Sequence, residues 1–587
     1  MFTEIFEKTG YSIMPQIEFN IYPKITDRAV WENISHTVSA EVIKEAEKYL
    51  DYTYPPLPAS KYMRFVRDGN RTDFQAPYNE RRTVLGTVLC AECIENKGRF
   101  LNAIIDGIYC ICEETTWVLP AHNCRDRYHG SDFSPLPLFN HGIIDLYSSK
   151  TAVLLSTVYY CLKNVLDKIS PEITAMIERK IDFRIIKPYM EYSDGFWMRD
   201  TNNWNIQVNY RCFLTFMLMV KDEKPRSDFL KKCVKSVDIY VEAYSDDGGC
   251  DEGPEYWTAS GAVLFKLAEQ LKFVTYGKCD VLENDKIRKI GEYLSKVNIY
   301  DNVFPAISDA APVLSSDFAN IYRVGKILKN NALMRIAKII EENNHTYSDI
   351  DSVLLADEIR AFDGDADKEA FAAFPSLQLA VWREDNIYMA IKAGHNDESH
   401  NHNDVGSFVL YKNNKPVIID VGTAPYTSKT FSPARYEIWY TNSQNHNVPQ
   451  IGNCVQKAGK EYAAESFFCD ENKCSADIGA AYGKGIKWNR KITFNRNEKK
   501  LCFTERYSLP SEQELILVFM TEEKPIIEKD AVILNEGVKL CFKGAEAVFE
   551  KIIPEKEYVI KSWKSVYKVM FKFSGKEGSF DYEFLLC

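Results

Sequence analysis

Histidine is scarce in this chain, and positive charge is outnumbered by negative. Its 587 residues include nine histidines, and 72 lysines and arginines face 83 acids, for a formal net charge of −11. The absence of a basic excess argues against nucleic acid as a partner, because phosphate binding needs a basic face, although a local basic pocket can still hold one acidic group. Long hydrophobic runs are missing too. The mostly apolar run Cys212–Val220 is far short of the roughly 20 residues a membrane span needs, so no membrane partner is expected. The opening Met1-Phe-Thr-Glu-Ile-Phe-Glu-Lys has neither a basic n-region nor an apolar h-region, which predicts a cytoplasmic protein. In that compartment the 16 cysteines read as reduced core thiols.

Aromatic residues are plentiful at 13%, with 34 Tyr and 9 Trp. Flat amphipathic rings suit a sugar-binding cleft, and a large aromatic core accounts for them equally well. The length implies two or three domains. From about 80 to 345, apolar residues recur at intervals of three and four in Lys150–Ile169, Asn205–Val220, Asp228–Tyr244, Ala259–Phe273 and Phe318–Glu342. Such a succession of amphipathic helices predicts helical hairpins arranged in a solenoid or toroid.

Residues 346–372 are acidic and weakly patterned, which predicts a linker. Beyond it, over 373–587, the period changes to two. Strands are expected at Ile387–Ala393, Ser407–Lys412, Pro416–Val421, Lys491–Asn495, Lys500–Tyr507, Glu514–Met520 and Val566–Phe573. Asn413-Asn414-Lys415 reads as a hairpin connection. The expectation is a multidomain α + β chain, a helical domain followed by an antiparallel β-sandwich. Residues 1–80, rich in Pro and Tyr, remain unassigned.

Four of the nine histidines lie between His395 and His446. His400 and His402 are two apart and share one face of an extended backbone. Asp420 ends the next expected strand, and His446 sits in the polar loop Asn442-Ser-Gln-Asn-His446-Asn. Two imidazoles and a carboxylate suit Zn²⁺, and a metal-free hydrogen-bonded cluster is the alternative. In the helical half, Asp200-Thr-Asn202-Asn203-Trp204-Asn205 opens a helix. A cap explains one of those asparagines but not all three. Gly-Gly and Gly-Pro turns in Asp246-Asp-Gly-Gly-Cys-Asp-Glu252-Gly-Pro-Glu-Tyr256-Trp257 hold Tyr256 at a loop-to-helix junction, where packing is the commoner role for a Tyr. Trp117-Val-Leu-Pro-Ala-His122 places a Trp and a His around a Pro.

These segments, with Val417-Ile-Ile-Asp420-Val-Gly, Arg435-Tyr436 and Ser443-Gln-Asn-His446-Asn, resemble the heparinase II/III-like polysaccharide lyases, in the right order along most of the chain. The Trp-x-x-Pro-Ala-His stretch is most similar to exo-acting oligoalginate and heparin-oligosaccharide lyases. The resemblance implies an N-terminal α/α toroid, an incomplete barrel of helical hairpins, joined to a C-terminal antiparallel β-sandwich. It also implies β-elimination at a uronic acid, in which the carboxylate is neutralised, a base takes the C5 proton and an acid protonates the leaving oxygen.

Carried over residue by residue, the resemblance makes Tyr256 and His400 the proton-transfer groups and Asn202 and Asn203 the carboxylate's hydrogen-bond partners. His122, Trp117, Trp204, Glu252 and Arg435 become substrate-binding residues, with Arg435 a bidentate fork for the carboxylate. His402, Asp420 and His446 become ligands of a zinc that holds the His400 loop. One departure stands out: relatives often carry Asn-His where this chain has Asn203-Trp204, so a histidine of the helical side is absent. The expected partner is an acidic oligosaccharide, and the expected assembly a symmetric homodimer. Two further functions fit the same residues: a zinc-dependent glycan hydrolase with an open coordination site, and a carbohydrate-binding protein without turnover.

Overall fold

The computed structural model describes residues 1–124, 133–138, 142–191, 195–315, 317–344, 346–366 and 368–586. The chain divides into two compact units that interleave in sequence. One comprises Met1–Tyr244, Thr258–Ile287 and Ser316–Asp365, the other Ser245–Trp257, Arg288–Ser315 and Ala366–Cys587.

The first unit is helical. Its longest helices, Thr72–Glu95 and Leu146–Ile169, are joined by Leu101–Glu113, Pro171–Ile181, Asn203–Met219, Glu223–Ala243 and Gly261–Val274. The ends are set by local chemistry. Asp145 accepts from Tyr147 N and Ser148 N in a capping box that starts Leu146–Ile169. Ser170 caps the next helix, and Pro171 takes its first turn, where a missing N–H costs nothing. Asn203–Met219 is buried on nearly every face, as a central helix must be. The unassigned N-terminal residues belong here: Phe2–Lys8 buries Phe2 and Phe6, and His36–Glu47 buries Val38, Val42 and Ala46. Cys90 and Cys93 lie three apart on one helix and are fully buried.

The segment expected as a linker carries a helix, Ile350–Ala361, capped by Asp349. Its acids are not a solvated run. Asp351 receives Lys266 Nζ at 2.7 Å and Arg323 Nη2 at 2.9 Å, so charge that reads as loop is internal pairing. No helix among the described residues is long and apolar enough to cross a membrane.

The second unit is an antiparallel sandwich. A five-stranded sheet runs Phe371–Phe374, Leu379–Glu384, Ile387–Lys392, Ser407–Lys412, Lys415–Ile418 in sequence order. The other sheet has ten strands, built about Lys500–Thr521 paired with Tyr567–Leu585. Lys500–Tyr507 and Glu514–Met520, expected as separate strands, are one strand of 22 residues with a register shift between Ser508 and Gln513. Asn413 and Asn414 both take positive φ, 52° and 59°, as a type I′ hairpin turn requires. Alternate residues of both sheets meet in one core, where Trp382, Met389, Phe408 and Leu410 join Ile492, Phe503, Phe519 and Phe571. The rings of Phe408 and Phe503 lie 4.8 Å apart. The order found, helices and then antiparallel sheets, is the order expected.

Candidate active site

In the sandwich unit the polar side chains gather on Asp309, whose carboxylate is fully buried at 0% exposure. His400 Nδ1 lies 3.0 Å from Oδ2, and His402 Nε2 lies 3.1 Å from Oδ1. Tyr426 donates to Oδ2 at 3.0 Å and Arg435 Nη2 to Oδ1 at 2.8 Å. Burial opposes the charge of Asp309, but the two histidine hydrogen bonds and the Arg435 guanidinium hold its carboxyl well below the usual range. An ionised carboxylate only accepts, so both imidazoles present N–H to it. That fixes their tautomers, and His400 Nε2 is the ring atom left to take a proton.

Tyr256 stacks on the His400 ring, centroids 4.1 Å apart and planes 23° off parallel. Its hydroxyl lies 2.6 Å from that of Tyr426. Because Tyr426 spends its proton on Asp309, Tyr256 is the donor between the two tyrosines. Burial pushes the Tyr256 phenol above its ordinary pKa. Glu252 Oε2 is 3.5 Å from His400 Nε2. The His400 backbone sits at φ 59°, a left-handed conformation uncommon outside glycine. Arg435 secures that turn by donating to the main-chain oxygens of His400 and Asn401 at 3.2 and 3.1 Å.

The ligand atoms of His402, Asp420 and His446 lie within 4.8 Å of one another, the one such group among the described residues. His446 Nε2 donates to Tyr440 O at 3.0 Å, leaving Nδ1 3.1 Å from Asp420 Oδ2. His402 Nδ1 and Asp420 Oδ1 are buried and find no hydrogen-bond partner among the described residues. Unmet buried acceptors are expensive, and a cation would satisfy both at once. Two imidazoles with their outer nitrogens anchored and one carboxylate fit Zn²⁺. Against the cost of burial, the charge of Asp420 pushes His446 up to about 9, whereas burial lowers His402.

The helical unit carries its own polar cluster. His122 Nδ1 lies 2.7 Å from Asp145 Oδ2, and its ring centroid is 4.7 Å from that of Trp204. Asn203 Oδ1 accepts from Gln207 at 2.8 Å, and Gln207 Oε1 accepts from Arg211 at 2.6 Å.

Three of the expected site residues are engaged within the protein. Asn202 is the N-cap of Asn203–Met219, its side-chain oxygen accepting from Trp204 N at 2.9 Å. Trp117 is buried, with its indole N–H bonded to Ile111 O at 2.8 Å and Arg184 over its ring, so it offers no face to a sugar. Arg435 directs its guanidinium to Asp309 and to the oxygens of Thr430, His400 and Asn401. The sequence reading missed Asp309 and Tyr426. Asp309 stands about 90 residues before the histidines it joins, in a segment without periodicity or motif. Tyr426 follows Asp420 by six residues, a spacing that carries no signal by itself.

Residues 366–548 match the family model described as Heparinase II/III-like, C-terminal. Among solved structures, the chain resembles heparinase III at TM-score 0.63 and 13% identity, over 95% of this chain and 93% of that one. It also resembles a heparan sulfate lyase from Pedobacter heparinus, at TM-score 0.60 and 13% identity over 100% and 87%. The chondroitin AC lyase of Streptomyces coelicolor A3, solved with chondroitin sulphate, matches at TM-score 0.55 and 10% identity over 95% and 82%. At such identities the likeness is one of fold. No curated protein matches the sequence.

Proposed function

We propose, from the premise that residues 366–548 belong to the heparinase II/III-like C-terminal family, that this protein is a polysaccharide lyase. It cleaves a uronic-acid-containing glycan by β-elimination and leaves a 4,5-unsaturated uronate end. The observation that carries the reading is the stacked pair Tyr256 and His400, both tied through hydrogen bonds to one buried carboxylate, Asp309. Elimination needs one group to accept the C5 proton and another to return a proton to the leaving oxygen. His400, its Nδ1–H committed to Asp309, has Nε2 as acceptor, and Tyr256 holds a transferable proton on its hydroxyl.

His402, Asp420 and His446 would hold a zinc ion. When bound, it supplies a fixed positive charge that ties together the loops bearing His402 and His446. Side-chain exposures of 0% for both histidines and 5% for Asp420 leave no open face for a metal-bound nucleophile, which weighs against the hydrolase reading. The proposed substrate is an acidic oligosaccharide of the glycosaminoglycan class, with alginate fragments as the alternative, taken up and degraded in the cytoplasm.

The test is ultraviolet absorbance of the unsaturated uronate, using heparan, chondroitin, hyaluronan and alginate oligosaccharides. One substrate should give a rise that falls by roughly 10²–10⁴-fold in Tyr256→Phe and in His400→Ala. Reducing ends without absorbance would replace lyase by hydrolase, and binding without either would make the protein a sugar-binding one.

A further inference from the structure

Two cysteines of the sandwich unit face each other across a hairpin. Strands Glu465–Cys469 and Lys473–Asp477 are antiparallel, with Cys469 directly opposite Cys474. Directly opposed residues point to the same side of a sheet. Cys474 is in the sandwich core and Cys469 packs against it, partly exposed. The next pair toward the turn, Asp470 and Lys473, is the hydrogen-bonded one, with Asp470 N donating to Lys473 O at 2.9 Å. The cysteine pair therefore occupies the non-hydrogen-bonded position, where opposed Cα atoms stand about 4.5 Å apart. That separation lies inside the range of about 4.4–6.8 Å that a disulfide spans. Both thiols are free.

We propose that Cys469 and Cys474 form an oxidation site that closes to a cross-strand disulfide when the protein meets a disulfide or azo oxidant. In the azo case each thiol gives up one proton and one electron, the S–S bond forms, and the oxidant takes both protons and both electrons to become a hydrazine. Glu465–Cys469 is the terminal strand of the ten-stranded sheet, and Phe468 on it is exposed. An edge with unpaired backbone groups and an exposed ring is where a sheet is most open to unwanted pairing, and the bond would staple that edge to its neighbour. Burial, with Asp470 beside it, raises the Cys469 thiol pKa. Burial raises that of Cys474 as well. Thiolate is therefore scarce at neutral pH and closure is slow, quickening as pH rises.

The two cysteines can be read separately by trypsin, because Lys473 lies between them and the fragments 461–473 and 474–484 hold one cysteine each. The folded protein would be treated with diamide, its remaining thiols blocked, and the digest analysed by mass without reduction. The expected result is the two fragments joined, 2 Da lighter than their sum, and separated again by dithiothreitol. In Cys469→Ser the joined species should vanish while exposed Cys454 still reacts, which shows that oxidant reached the folded chain. Fragments that stay separate after Cys454 has reacted would overturn the proposal. So would joining of either cysteine to other partners as often in folded as in urea-unfolded protein.

Discussion

Two buried polar groups of the sandwich unit look alike in composition and differ in completeness. Arg490 and Glu505 pair at 2.8 Å, and Glu505 also accepts from Trp488 Nε1 at 2.7 Å and from the Tyr582 hydroxyl at 2.9 Å. Arg490 Nη1 donates to Gly406 O and Asn447 O, each at 2.7 Å. The His402–Asp420–His446 group is just as buried, yet it leaves a ring nitrogen and a carboxylate oxygen unmet. A closed network holds strands together, whereas an open one at the same depth leaves acceptors that a ligand could meet. Burial and residue type do not separate the two; the accounting of donors and acceptors does.

That contrast breaks first at the closed pair. Arg490→Met leaves Glu505 charged and uncompensated, so urea unfolding should show a loss of about 3–5 kcal/mol, whereas replacing both partners by apolar residues should recover most of it. A single-variant loss under about 1 kcal/mol would mean the pair is not the closed structural unit described.

The open group is tested by metal. Competition with a chromophoric chelator should find zinc in the wild type and none in His446→Ala. Asp309→Asn, which loosens the outer nitrogen of His402, should weaken zinc by roughly 10–100-fold. Full zinc retention in His446→Ala would close the contrast from the other side.

The helical unit gives a pH test. Burial works against the charge of Asp145, yet its hydrogen bond with His122 holds its pKa below the ordinary value. Its contribution to stability should be complete above about pH 4, near the unfolded value, and be lost as pH falls through the folded one. Asp145→Asn should flatten the acid limb of stability against pH, and an unchanged limb would assign acid sensitivity elsewhere. The smallest effect belongs to Asn202. Alanine there should cost about 1 kcal/mol in thermal unfolding, and serine, which also caps, a few tenths. If Asn202→Ser keeps its stability but loses turnover, Asn202 returns to the chemistry.

The sequence foretold what rests on short-range pattern. Ser407–Lys412 is a strand over the expected residues, and the Asn413-Asn414 turn follows from two residues that tolerate positive φ. The group His402, Asp420 and His446 was legible as two imidazoles and a carboxylate within one stretch of chain, although His400, at φ 59°, is not on the extended backbone expected of it. Pro510 and the polar residues after it hid the continuity of Lys500–Thr521, since a bulge passes through a stretch that reads as a break. Asp351 hid its helix in the same way, because acids look solvated until their partners are known. Asp309 could not have been found: a lone carboxylate acquires meaning only from cations about 90 residues away.

The order in which the chain visits the two units bears on inheritance. Glu252, Tyr256 and Asp309 belong to the sandwich unit but are encoded before the segment Ser316–Asp365 of the helical unit, ahead of the family-matched residues 366–548. A gene fragment for 366–587 would encode His400, His402 and Arg435 without the acid they converge upon. Residues 366–587 by themselves would therefore carry the sandwich without the buried acid of this cluster. The cluster on Asp309 is complete only when both stretches are present in one chain.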